Sequence, residues 1–174
     1  FAKYIGSVAA PTASLHFSTR LLKQLEEKGV SISFLLLHLG LGSFRPVEVE
    51  DLSKHRMDSE FFEVPQSAVD AVNKSIDNKG NVFVCGTSTT RAIESAVTTT
   101  GHLKIARGWT DKFIFPPYDF KIVDKMITNF HLPESTMLML VCAFAGRDLV
   151  MKAYKKAIKE KWRFYSYGDA MLII

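Results

Sequence analysis

Four loops hold the residue types that do chemistry. "HLGLGSFRPV", residues 38–47, joins His38, two glycines, Ser43, Phe44 and Arg45 directly after an apolar run. Glycines so spaced let backbone N–H groups approach a ligand or allow positive φ, although a plain tight turn reads the same way. "VCGTSTTRAIES" runs from an apolar stretch through Gly86 and Thr87 to Arg91 and into a helical pattern. Free N–H groups and hydroxyls at a helix N-terminus make an anion site, and Arg91 can add a bidentate cation. The plainer alternative is a threonine cap with Arg91 at the surface. "TNFHLPEST" places Asn129 and His131 where a strand ends, before Ser135 or Thr136 caps a wholly apolar helix. An imidazole there can exchange a proton near neutral pH or simply hold the turn. "PTASLHFS" sets His16 among serines before another helix.

Other chemistries are poorly represented. His55, Asp58 and Glu60 in "HRMDSE" are ligand types, but no second cluster of convincing spacing supports them, so no metal is expected. No serine sits in a G-x-S-x-G elbow, and Cys85 and Cys142 lie in apolar runs without C-x-x-C spacing. A disulfide framework is therefore not expected, and a reducing cytoplasm fits.

Strands and helices alternate behind these loops. Ser18 and Gly29 bracket a helix with Leu21, Leu22 and Leu25 on one face. "VSISFLLLHLG" reads as a strand of about ten residues, too continuously apolar for an edge. A short strand is expected at "FFEV", a helix over "PQSAVDAVNKSI", a strand at "NVFVCG" and a helix at "RAIESAV". "KFIF" and "FKIVDKMITNF" read as strands flanking the turn "PPYD", followed by helices "STMLMLVCAFAG" and "RDLVMKAYKKAIKEKW" and a terminal strand. In the last helix Leu149, Val150, Ala153, Tyr154, Ala157, Ile158 and Trp162 form an apolar stripe. The expected fold is α/β, a mixed, partly parallel sheet flanked by helices, with residues 1–174 forming one unit. In such sheets ligands sit beyond the carboxyl ends of the strands, where these polar loops fall.

Composition fits a globular chain of 174 residues, 47% hydrophobic and 23% charged. The longest uncharged apolar run, "MLMLVCAFAG", has ten residues, too few to span a bilayer, and no targeting segment precedes the fold. Of the net charge of +4, residues 147–163 carry seven basic and two acidic groups, a local +5. Lys152, Lys155, Lys156 and Lys159 there form either a solvated face or a contact for nucleic-acid phosphates.

Taken together, "GSVAAPTASLHFS", "LHLGLGSFRPV", "HRMDSEFFEV", "GTSTTRAIES", "GWTDKFIFPPY", "TNFHLPESTMLMLVCAFAG" and "RFYSYGDAMLI" resemble one family, the S-adenosylmethionine:tRNA ribosyltransferase-isomerases of queuosine biosynthesis. The blocks match in order from Gly6 to Ile173 and cover the C-terminal half of a family member; the other half, which carries a β-barrel insertion, is not in this sequence. Ser14 replaces a usual glycine, Ser18 and Ser43 replace threonines, and Asp58 replaces a common histidine.

The resemblance implies that S-adenosylmethionine serves as a ribosyl donor, its ribose being transferred to a 7-aminomethyl-7-deazaguanine at the tRNA wobble position and rearranged to an epoxycyclopentane. Adenine and methionine leave, and the product is epoxyqueuosine. The sulfonium acidifies the 5′-hydrogens, so a base is needed. His131, His38 and His16 are the candidates in that order, with Asp111 or a second histidine protonating adenine. Arg91 or Arg45 would take the methionine carboxylate, Asn129, Thr87 and Ser135 the ribose oxygens, and Phe44, Phe130 and Tyr167 the purine ring. The α-helical lysines become a tRNA contact, the partner being a tRNA with a GUN-type anticodon. A monomeric cytoplasmic enzyme is implied. The rival readings are an α/β RNA-binding module without chemistry and an ordinary methyltransferase.

Overall fold

The computed structural model describes residues 1–40 and 46–174. A 3₁₀ turn, Thr12–His16, leads into α1, Thr19–Glu27. The Ser18 hydroxyl accepts the Leu21 N–H at 3.2 Å and caps α1, while Gly29 closes it with φ of +84°. Its leucine face is only partly covered, since no α1 residue is buried.

The α/β class holds, but the strands form two three-stranded sheets. The first is antiparallel, with β1 (Leu36–His38), β2 (Glu60–Val64) and β4 (Ala106–Thr110) in the order β1-β2-β4. The second is mixed, with β3 (Phe83–Cys85) parallel to β5 (Lys125–Asn129), and β6 (Ala170–Ile173) antiparallel to β5. Alternation decides which side of the first sheet is buried: Glu60, Phe62 and Val64 point inward while Phe61 and Glu63 point out.

Three strand expectations are corrected. The long apolar run gives only three residues of strand, and β1 lies at an edge. It pairs with β2 alone from Leu36↔Glu63 to His38↔Phe61, while Val30 and Phe34 before it are exposed. "KFIF" is not a strand; the ladder falls earlier, at β4, and Ile114 is buried in irregular chain. "FKIVD" is not a strand either, because the backbone N–H groups of Lys121, Ile122 and Val123 all donate to the Glu94 carboxylate at 3.1–3.3 Å. A side chain has taken the donors that a ladder would use.

The five α-helices among the described residues include α2 (Gln66–Asp77), α3 (Thr87–Ser95), α4 (Thr136–Ala145) and α5 (Arg147–Lys159). Only Val150, Tyr154 and Ala157 of the α5 stripe are buried; Leu149 and Ile158 are exposed. One core cluster joins Phe62 and Val64 to Val69, Val84 and Ile93, and another joins Met126 and Phe130 to Leu140, Val150 and Tyr154. Phe120 and Phe144 pack against both. Helix α3 touches β1, β2, β3, β4 and α4, and Thr87, Thr90, Arg91, Ala92, Ile93 and Glu94 are all buried. It is therefore the element that couples the two sheets. Both cysteine thiols are free, and burial raises the pKa of each. Among the described residues no helix is long and apolar enough to cross a membrane.

Candidate functional site

The carboxyl ends of parallel strands β3 and β5 lie side by side, as Gly86 N–H donates to the Ile127 carbonyl at 2.8 Å. Gly86, with φ of +96°, turns the chain sharply into α3, so α3 begins at this edge. The Thr12–His16 turn crosses the same edge. Ser14 Oγ lies 3.7 Å from Cys85 Sγ, and His16 Nε2 lies 3.1 Å from Asn129 Nδ2, although 113 residues separate them. A further segment arrives from the C-terminus: Tyr165 N–H donates to the Phe130 carbonyl at 3.0 Å, and Asn129 Nδ2 donates to the Tyr165 carbonyl at 3.1 Å.

That last segment is a tight turn. Asp169 Oδ2 accepts the Arg163 N–H at 2.8 Å, which lowers the Asp169 pKa, with the positive charge of Arg163 adding to it. Tyr165 is held at φ of +69°, a conformation that L side chains rarely adopt. A Cβ on Gly168 would come within 2.5 Å of the Arg163 carbonyl oxygen, so only glycine fits. Asn129 itself is 3% exposed, and its Oδ1 is buried with no hydrogen-bond partner among the described residues.

The α4 side is also fixed. Ser135 Oγ accepts the Leu138 N–H at 3.1 Å and donates to the Leu132 carbonyl at 2.8 Å, so its hydroxyl serves as the helix cap. Pro46 bridges to Ser135, and Val47 N–H donates to the Glu134 carbonyl at 2.8 Å. Before the residues that are not described, the Leu39 carbonyl accepts the Val8 N–H at 3.0 Å. Arg45, Phe44, Ser43 and Gly42 lie outside the described residues. Thr87, Ser88 and Arg91 line a small cavity with Thr136, Met137 and Leu140, between the first turns of α3 and α4.

Several candidate residues have other employment. Arg91 is not at the surface. It is 5% exposed, with Nη1 2.5 Å from Glu60 Oε2, Nε donating to the Lys112 carbonyl at 2.8 Å and Nη2 reaching the Thr110 carbonyl at 3.5 Å. Burial lowers its pKa, and the carboxylates of Glu60 and Asp111 oppose that shift. His131 is buried, its Nε2 2.8 Å from Thr128 Oγ1 and its backbone N–H donating to Tyr154 Oη at 2.8 Å. Desolvation pushes its pKa down to about 4, so the ring is neutral at physiological pH. Burial likewise pushes Tyr154 up to about 12 and keeps its phenol protonated. Phe130 is 1% exposed and packed among Tyr154, Trp162 and Phe164.

His38 belongs to a different surface, the outer face of the first sheet. It stacks on its register partner Phe61 with ring centroids 5.5 Å apart, and Phe61 in turn meets its own partner Trp109 edge-on at 5.8 Å. The chain at Gly6 presses on the His38 ring, whose Nδ1 is buried without a partner. Asp111 and Tyr167 are exposed, and Lys152, Lys155, Lys156 and Lys159 project from the exposed side of α5. Among the described residues no group of three or more His, Cys, Asp or Glu side chains is placed to hold a metal.

Sequence reasoning missed the buried carboxylates. Glu60 had been grouped with His55 and Asp58, but it faces Arg91 while His55 packs on Phe113 at 4.8 Å. The inward phase of Glu60 in the Glu60–Val64 alternation was the available signal.

A family profile described as queuosine biosynthesis protein matches residues 1–173. A curated relative from Cytophaga hutchinsonii, named S-adenosylmethionine:tRNA ribosyltransferase-isomerase, is 59% identical over 174 residues, which is all of this chain and 50% of the relative. A relative of the same name from Halothermothrix orenii is 56% identical, covering all of this chain and 51% of its own. The crystal structure of an S-adenosylmethionine tRNA ribosyltransferase from Thermotoga maritima superposes with a TM-score of 0.77 at 40% identity, over 93% of this chain and 51% of that one. The chain thus spans about half the length of the curated relatives it matches.

Proposed function

The chain belongs to the queuosine biosynthesis protein family, and from that membership we propose that it supplies the α/β portion of an S-adenosylmethionine:tRNA ribosyltransferase-isomerase. The whole enzyme transfers the ribosyl group of S-adenosylmethionine to the 7-aminomethyl-7-deazaguanine of a tRNA with a GUN-type anticodon, rearranges it to the epoxycyclopentane, and releases adenine and methionine. It works as a cytoplasmic monomer.

One observation supports placing the nucleoside at the β3/β5 edge. Three segments distant in sequence meet on the buried Asn129 amide at the strand end, as expected for a site in a sheet of this class. The small cavity lined by Thr87 and Ser88 adjoins it through α3. With Arg91 buried and three of its five N–H donors engaged by Glu60 and the Lys112 and Thr110 carbonyls, Arg45 is the preferred partner for the methionine carboxylate. The exposed lysines of α5 offer the tRNA a run of positive charge on one helix.

The test uses the full-length protein, tRNA carrying the 7-deazaguanine precursor, and S-adenosylmethionine labelled on its methyl group. Adenine and labelled free methionine in equal amounts support ribosyl transfer. Label incorporated into RNA points to a methyltransferase, and salt-sensitive tRNA binding without adenine release points to a binding module; either result ends the proposal.

A further inference from the structure

The hydrogen bonds around Asn129 say more about His16 than its position does. The carboxamide can only be oriented one way. Its nitrogen faces the Tyr165 carbonyl at 3.1 Å, and turning the amide over would set two oxygens against each other. The same nitrogen faces His16 Nε2 at 3.1 Å, so Nε2 must be the acceptor. A neutral imidazole has one lone pair and one N–H. The lone pair of His16 is thus occupied by Asn129, and the proton sits on Nδ1. His16 is an exposed residue, whereas Asn129 is buried.

We propose that Asn129 fixes His16 as an N–H donor and that the two residues together bind the ribose diol of the nucleoside, leaving the proton abstraction to another group. Among the described residues Asn129 Oδ1 is a buried acceptor without a donor, and His16, whose remaining N–H lies on Nδ1, is an exposed residue. A vicinal diol satisfies such a pair, because each hydroxyl can both donate and accept. The unmet Oδ1 gives the diol an advantage over a ribose lacking one hydroxyl, for which that acceptor stays unpaired. The Arg163–Asp169 turn is tied to this amide through the Tyr165 carbonyl, and because Oδ1 is covered, the diol reaches it only as that turn, with Tyr165 at an unfavourable φ, shifts aside. This inference rests on the adenosyl donor proposed above.

Two measurements on the full-length protein test it. The first is equilibrium binding of S-adenosylmethionine and of its 2′-deoxy and 3′-deoxy analogues to the native protein and to Asn129→Ala, and it requires no turnover. The native protein should prefer the diol about tenfold or more over at least one deoxy analogue, and Asn129→Ala should erase that preference. Equal preference in both proteins overturns the diol contact, even if adenine release is confirmed. The second is kinetic and uses the exposed position, where folding is not at risk. His16→Ala should raise KM for S-adenosylmethionine about tenfold with kcat within about threefold, whereas a base would cost kcat about 10²-fold or more. A fall in kcat of that size at unchanged KM assigns His16 as the base and overturns the donor role. If no adenine is released by any form, the function proposal fails while the binding comparison still reads the diol.

Discussion

Glu60 of β2 and Arg91 of α3 form an ion pair 2.5 Å long in the interior, with side chains 2% and 6% exposed. It is the charged tie between the first sheet and the helix that opens the β3/β5 edge, beside the neutral Ser95–Thr110 hydroxyl pair at 2.7 Å. A buried pair is not by itself strongly stabilising, but a charge left without its partner is costly. Arg91→Ala and Glu60→Ala should each lose about 3–5 kcal/mol of stability in urea titrations, and the combined Glu60→Leu, Arg91→Met variant should lose much less. If the double variant is as unstable as the sum of the singles, the pair is not the unit assumed here.

His131 predicts a pH dependence of stability. Its folded pKa is depressed to about 4 from the usual 6.5, so the unfolded chain binds the extra proton first. The stabilising contribution of the neutral ring is complete above about pH 6.5 and is lost as pH falls towards 4, an effect of up to about 3 kcal/mol. Denaturant titrations at pH 7 and pH 4.5 should show a smaller acid-induced loss for His131→Gln than for the native protein. An unchanged difference would mean that the ring titrates normally.

Glu94 holds the 121–123 segment by accepting three successive backbone N–H groups, and Tyr118 Oη lies 3.4 Å away. Burial and the Glu94 charge push the Tyr118 pKa up to about 12. Glu94→Ala should destabilise by about 3 kcal/mol or more, because buried donors are left unmet. Amide exchange at Ile122 and Val123 should accelerate selectively. Uniform acceleration along the chain would instead indicate general loosening.

The α5 lysines make an electrostatic prediction. Replacing Lys152, Lys155, Lys156 and Lys159 with alanine in the full-length protein should weaken tRNA binding and reduce the slope of log K against log salt by about 3, if each contacts a phosphate. Lys156 should contribute least to that slope, because Glu160 already sits 4.0 Å from it. An unchanged salt slope removes this face from the tRNA interface.

The helices were the most legible part of the sequence. Caps such as Ser18 and Ser135 and the apolar spacing of α2 and α5 are local signals, and four of the five expected helices formed within a few residues of their expected bounds, while α3 begins at Thr87, four residues before the expected "RAIESAV". The edge of the sheet that gathers Asn129 and His16 was also legible, since a polar loop after an apolar strand announces itself. Long-range pairing was not. An arginine shortly after a polar turn reads alike whether it faces a ligand or a carboxylate 31 residues away, and Arg91, in the second turn of α3, faces the carboxylate. His131 and His16 look equally available as letters, but one is desolvated inside a core and the other sits at the surface on an amide. The length of β1 failed for a related reason: apolar content signals a tendency to be covered, whereas a strand requires a partner ladder, and exposed Val30 and Phe34 have neither among the described residues.

Helix α3 is clasped at two levels, by Glu60 on Arg91 and by the 121–123 amides on Glu94. A rigid-body slide of one sheet past the other would have to uncover both charges at once. Slow opening events monitored by native-state isotope labelling should therefore release β2 and β5 together, in a single cooperative step, and any motion that admits a nucleoside must come from the peripheral turns instead.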